Sequence, residues 1–103
     1  MTNKSVDYIQ RTVFEIDSLL SESKTEAALK KCTDLLEQWE SRHVGMCMFL
    51  QHEHLDPIEN ILATLPFYIE QNEILLARAE CRSIYSLTEH VIRTEEITFE
   101  NIL

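Results

Sequence analysis

Glycine occurs once in these 103 residues and proline twice. Hairpins, phosphate-binding loops and tight strand turns need positions with positive φ, which glycine fills most easily, so a many-stranded domain would be hard to build. The lone Gly45 lies within Arg42-His43-Val44-Gly45-Met46-Cys47-Met48, which leaves no phosphate loop and no dinucleotide fingerprint. Positive charge is also scarce. Nine Lys and Arg against eighteen Asp and Glu give a formal net charge of −9, a potential that repels nucleic-acid backbones and anionic lipid. The longest apolar run, 44–50, is about a third of the roughly twenty residues that cross a bilayer. The first twenty residues carry charges throughout, without the apolar core of a signal peptide.

What is present is helical periodicity. Val6, Ile9, Val13, Ile16 and Leu20 share one stripe at 100° per residue and predict a helix over 5–21. Ser23-Lys24-Thr25-Glu26 has the form of a capping box and predicts a new helix start. From there Ala28, Cys32, Leu35, Trp39, His43, Met46 and Leu50 step by fours and threes, which predicts a long helix over 24–53, on the order of 45 Å. Asp56, Pro57 and Glu59 read as N-cap, first helical residue and capping partner of a third helix over 57–71, with Pro66 bending it near Leu62 and Leu65. A fourth helix over 73–94 buries Ile74, Ala77, Cys81, Ile84, Tyr85, Val91 and Ile92, with Asn72 able to cap it. Residues 95–103 are expected to form a tail packed on the bundle. The expected architecture is all-α, an antiparallel four-helix bundle in one domain spanning 1–103.

The candidates for chemistry gather in one region. His43 and Cys47 are one helical turn apart, and an imidazole beside a thiolate suits zinc or copper. Gln51 and His54 continue that face if the helix holds, while His52 and His54 point about 200° apart on a helix and cannot share one ion. A zinc or copper site at His43, Cys47, His52 and His54 is therefore weighed against a solvated helix end with Cys47 as a boundary residue. The second is preferred: no metal, no cofactor and no catalytic residue is assigned. Cys32 and Cys81 fall mid-stripe and read as small core residues. Trp39 reads as a core anchor. Carboxylate pairs such as Glu37 and Glu40 read as solvated charge. Phe14, Val44, Met48 and Phe67 project off their stripes and form the expected partner surface, unless the tail covers them.

From Trp39 onward the order of features is similar to a family of short bacterial helical proteins known as a domain of unknown function, family 4363. The features are Trp39, the run Met48-Phe49-Leu50-Gln51-His52-Glu53-His54-Leu55-Asp56-Pro57-Ile58-Glu59, then Leu62, Leu65 and the ending Phe99-Glu100-Asn101-Ile102-Leu103. The resemblance implies a helical domain outside the cytoplasmic membrane, behind a single hydrophobic N-terminal anchor, and brings no catalytic residues. The sequence shows no such anchor, which leaves the location open: the outer face of the membrane by the resemblance, the cytoplasm if the chain is full-length. The expected function is a non-catalytic interaction or structural domain, with a protein partner or a second copy, no nucleic acid, and the membrane only through an anchor. The alternative is a metal or redox sensor at His43, Cys47, His52 and His54.

Overall fold

The computed structural model describes residues 4–102, with the side chains of 4–48 and 50–94. Four helices follow in order: α1 (Lys4–Ser21), α2 (Thr25–Phe49), α3 (His52–Glu70) and α4 (Ile74–Ile102). Each helix packs on its two neighbours in a ring, α1 on α2, α2 on α3, α3 on α4 and α4 on α1. The cross-links show the direction of packing. Arg42 donates to Ser5 Oγ and Lys31 pairs with Glu15 between α2 and α1. Arg78 donates to Asp17 and the Gln10 amide to Glu89 between α4 and α1. Thr64 donates to Glu80 between α3 and α4. Between α1 and α2 and between α1 and α4 one numbering rises as the other falls, and the short connections turn each helix back on the one before it, so the bundle is antiparallel.

The stripes meet along the axis. Val6, Ile9, Val13, Ile16 and Leu20 of α1 are buried with Ala28, Cys32, Leu35, Trp39, Met46 and Leu50 from α2 and its end. Leu55, Ile58, Leu62, Leu65 and Ile69 of α3 and Ala77, Cys81, Ile84 and Val91 of α4 complete the core. Tyr85 departs from its expected core position and is exposed, while Thr88 is fully buried. The Thr88 hydroxyl donates to the Tyr85 carbonyl at 2.7 Å, which satisfies the polar group that burial would otherwise penalise. No helix among the described residues is long and apolar enough to cross a membrane.

Two turns close without glycine. After α1 the N–H of Lys24 bonds to the Leu19 carbonyl and that of Ser23 to the Leu20 carbonyl, with Ser23 at φ 61. After α3 the N–H of Glu73 bonds to Tyr68 and that of Asn72 to Ile69, with Asn72 at φ 58. Both are paired Schellman closures, in which a left-handed residue lets two orphan carbonyls find donors. Ser23 is thereby engaged at the end of α1, so the expected capping box does not form. The N-cap of α2 is Lys24, and no side chain caps it. Asn72 likewise ends α3 with its own backbone. Gly45 stands inside α2 without positive φ, and a Cβ there would meet nothing within 4 Å, so close packing does not explain it.

Three boundaries differ from expectation. The long second helix stops at Phe49, because Leu50 (φ −121, ψ 148) and Gln51 (φ −75, ψ 137) are extended. A continuous helix would put Glu53 and His54 next on the buried stripe after Leu50. The break brings Leu55 there instead, 1 % exposed, and the apolar spacing resumes at 55, 58, 62, 65 and 69. The third helix accordingly starts at His52, so Asp56 is not its N-cap and Pro57 is its sixth residue. Pro57 and Pro66 both lie inside α3 and leave the carbonyls of Glu53 and Leu62 without their usual helical donors. The fourth helix runs on to Ile102 in place of a separate tail, and the packing of Ile97, Phe99 and Ile102 lies outside the described side chains.

Candidate metal centre at the α2–α3 corner

All four histidines of the chain sit at the end of the bundle where α1 begins. His43 and Cys47 come from the last two turns of α2, and His52 opens α3. Cys47 and His52 are five positions apart, which on a continuous helix puts them roughly 140° apart around the axis. The extended pair Leu50 and Gln51 turns the chain back and erases that separation. Cys47 Sγ lies 3.6 Å from Nε2 and 3.7 Å from Nδ1 of His43, and 4.0 Å from Nδ1 of His52. One donor atom from each of the three falls within 4.8 Å of the others.

The neighbours hold this group from one side. The Trp39 ring, buried at the base, stands 5.6 Å from the His43 ring, and its indole N–H donates to Glu59 Oε1 at 3.1 Å, which ties α2 to α3 below the corner. The His43 and His52 rings meet edge to face at 5.9 Å. Arg42, next to His43, lies 4.6 Å over the Tyr8 ring and anchors the same turn of α2 to α1. Asp56, one turn into α3, places a carboxylate oxygen 3.9 Å from His52 Nδ1. His43 and Cys47 are half-buried and His52 is exposed, so the group opens to solvent on one side.

The sulfur–imidazole separations are close to those around a tetrahedral ion. Zn–S near 2.3 Å and Zn–N near 2.0–2.1 Å at tetrahedral angles put sulfur and nitrogen about 3.6 Å apart. The sulfur lies 3.6–3.7 Å from both nitrogens of His43, hence over that ring, and 4.0 Å from His52, and the three donors span up to 4.8 Å. Binding an ion therefore requires the His43 ring to turn one nitrogen toward it and the group to close in. Thiolate with imidazole is the donor set of borderline and soft cations, whereas Mg²⁺ and Ca²⁺ call for oxygen.

Of the sequence candidates, the structure brings together His43, Cys47 and His52 and sends His54 elsewhere. His54 packs edge to face on His90 of α4 at 5.7 Å. The exchange of His54 for His52 follows from the helix break. The break itself has a sequence signal, the five-residue step from Leu50 to Leu55 in a pattern of threes and fours. The other two thiols differ in kind: Cys32 and Cys81 are buried, and loss of solvation pushes both up to about 12.

The expected partner residues are all exposed, Phe14 at 63 %, Val44 at 72 %, Met48 at 75 % and Phe67 at 59 %. They do not share one face. Phe14 lines an α1–α4 groove of about 410 Å³ with Val13, Asp17, Cys81, Arg82 and Tyr85. Val44 and Met48 sit on α2, each one residue beyond a donor of the corner. Phe67 pairs with Tyr68 on α3. Leu75 and Leu76 are exposed as well. Sequence reasoning missed them because hydrophobicity alone does not separate the two sides of a helix's first turn.

Residues 1–102 match the family described as Domain of unknown function (DUF4363). The chain belongs to that family. The match extends from the corner and its flanking helices to nearly the whole chain. No curated protein and no solved structure matches it.

Proposed function

We propose that this DUF4363 chain is a non-catalytic helical domain that binds a zinc-class divalent ion through His43, Cys47 and His52. The observation that carries this reading is the convergence of one thiol and two imidazoles within 4.8 Å, from both sides of a helix break. Three protein donors leave a fourth tetrahedral position for water. The placement suits holding an ion more than turning over a substrate, since the described α1–α4 groove lies along a different pair of helices.

Binding requires the thiol to give up its proton and both imidazoles to be neutral, so it releases protons and weakens as pH falls. Calorimetric titration of zinc into the reduced, untagged protein tests the reading. The expected result is one ion per chain, with binding weakened about 100-fold or more in Cys47→Ser and in His43→Ala, a loss at least as large as that seen for supporting residues of metal sites. No binding, or wild-type affinity in Cys47→Ser, overturns it.

Exposure of Val44 and Met48 favours a second reading, a protein-binding face on α2. Light scattering separates a second copy of this chain from a foreign partner as its occupant. A dimer that Met48→Glu dissociates supports self-association through this face, and a monomer at all concentrations removes it.

A further inference from the structure

The three thiols of the chain stand in unequal positions. Cys32 and Cys81 are 0 % and 2 % exposed, whereas Cys47 is half-buried at the corner and opens to solvent beside two imidazoles. A dissolved oxidant therefore reaches one of the three thiols, and it is the thiol of the donor group; the exposed thioether of Met48 beside it is told apart by mapping the added oxygen to its residue. Neither remaining thiol can resolve an oxidised Cys47 by forming a disulfide. Cys32 lies fifteen residues back along the same helix, about 22 Å by helical rise. Cys81 lines the α1–α4 groove beside Val13 and Asp17, nine residues along α4 from His90, which itself pairs with His54. A disulfide needs Cα atoms within roughly 7 Å. Oxidation of the folded monomer thus stops at oxygen addition.

Resting on the metal reading above, we propose that the corner is a peroxide-responsive site, at which a hydroperoxide oxidises Cys47 and discharges the bound ion. The coordinated thiolate attacks the peroxide oxygen, an S–O bond forms, the O–O bond breaks, and hydroxide leaves: R–S⁻ + H₂O₂ gives R–SOH + OH⁻. Sulfur is oxidised by two electrons and peroxide oxygen is reduced by two. The anionic soft donor is lost, and two imidazoles on a solvent-open corner remain, one of them exposed His52. Two equivalents of a small thiol return the sulfenic acid to Cys–SH, with release of water and a small-molecule disulfide, and restore the site.

The test uses the full chain loaded with zinc and treated with hydrogen peroxide. Free zinc is followed with a colorimetric chelator, and oxygen addition is mapped by peptide mass spectrometry. Zinc release in step with one added oxygen on Cys47, reversed by thiol and unchanged in Cys32→Ala, is the expected result, with affinity lowered about 100-fold in the oxidised protein. Zinc retained after Cys47 has gained its oxygen overturns the proposal and leaves the metal reading standing. So does oxygen added first at Cys32 or Cys81. Protein that takes up no zinc before peroxide is added overturns the metal reading itself.

Discussion

At one end of the bundle the α1–α2 and α3–α4 turns are closed by paired backbone hydrogen bonds around Ser23 and Asn72, with no metal-binding side chain involved. At the other end α2 passes into α3 through two extended residues. One bond, from the Leu50 N–H to the Met46 carbonyl at 2.7 Å, closes α2, and the His54 N–H to Gln51 carbonyl bond at 3.0 Å opens α3; no side chain caps α3, as none caps α2 at the first end. Pro57 then removes a further backbone bond from the first turns of α3. The first end satisfies its orphan carbonyls by geometry alone. The second leaves the backbone less tied and concentrates imidazoles and the accessible thiol, which is where an added ligand has most to stabilise.

The difference can be broken from either side. The largest effect is expected at the corner. Zinc at about one hundred times its dissociation constant stabilises a native site by ~2.7 kcal/mol, and Cys47→Ala is expected to abolish that gain in thermal melts. Ser23→Gly and Asn72→Gly are expected to keep it in full. A melt in which zinc stabilises Cys47→Ala as much as the wild type breaks the comparison.

A second effect comes from the two buried thiols, Cys32 and Cys81, each about two turns in from the turn end. Burial raises Cys32 and Cys81 to about 12, so the folded protein holds protons that the unfolded chain gives up. The associated stability is intact below the ordinary thiol range and is lost as pH rises toward 12. Denaturant midpoints are expected to fall steadily across that alkaline window. Under native conditions an alkylating reagent is expected to modify Cys47 alone, and equal labelling of all three thiols contradicts the burial described.

The turn end gives the next effect. Serine in the left-handed region costs on the order of 1 kcal/mol relative to glycine, so Ser23→Gly is expected to raise stability by about that amount. Asn72→Gly is expected to gain less, because asparagine tolerates this conformation. The smallest effect is at Gly45, where open space and a helical backbone predict that Gly45→Ala adds about 0.5–1 kcal/mol. A loss there would show that α2 needs its glycine for more than the described contacts.

Much of this fold was legible in the sequence because amphipathic stripes state their own period. Val6 to Leu20 and Ala28 to Trp39 are buried as the threes and fours require. The boundaries were less legible where a local signal competed with the core. Asp56-Pro57 is a strong helix start in isolation, yet burial of Leu55 draws the helix start back to His52. Ser23 fits a capping box, yet the backbone closure of α1 takes it first. Tyr85 lies next to Ile84 in sequence, and the stripe resumes at Thr88, so the ring is left to the α1–α4 groove.

The donor residues were legible as a set, and their partnership was not. With α2 continuous, His54 aligns with Cys47 and His52 points away. Breaking α2 at Leu50 reverses the two assignments, sending His54 to His90 and His52 to Cys47. That reversal makes a donor set out of residues that periodicity alone assigned to a solvated helix end.

X-ray absorption at the zinc edge of the loaded protein tests the account's central claim most directly. The predicted first shell contains one sulfur near 2.3 Å and two imidazole nitrogens near 2.0–2.1 Å, completed by one oxygen. A shell of oxygen and nitrogen with no sulfur would contradict it.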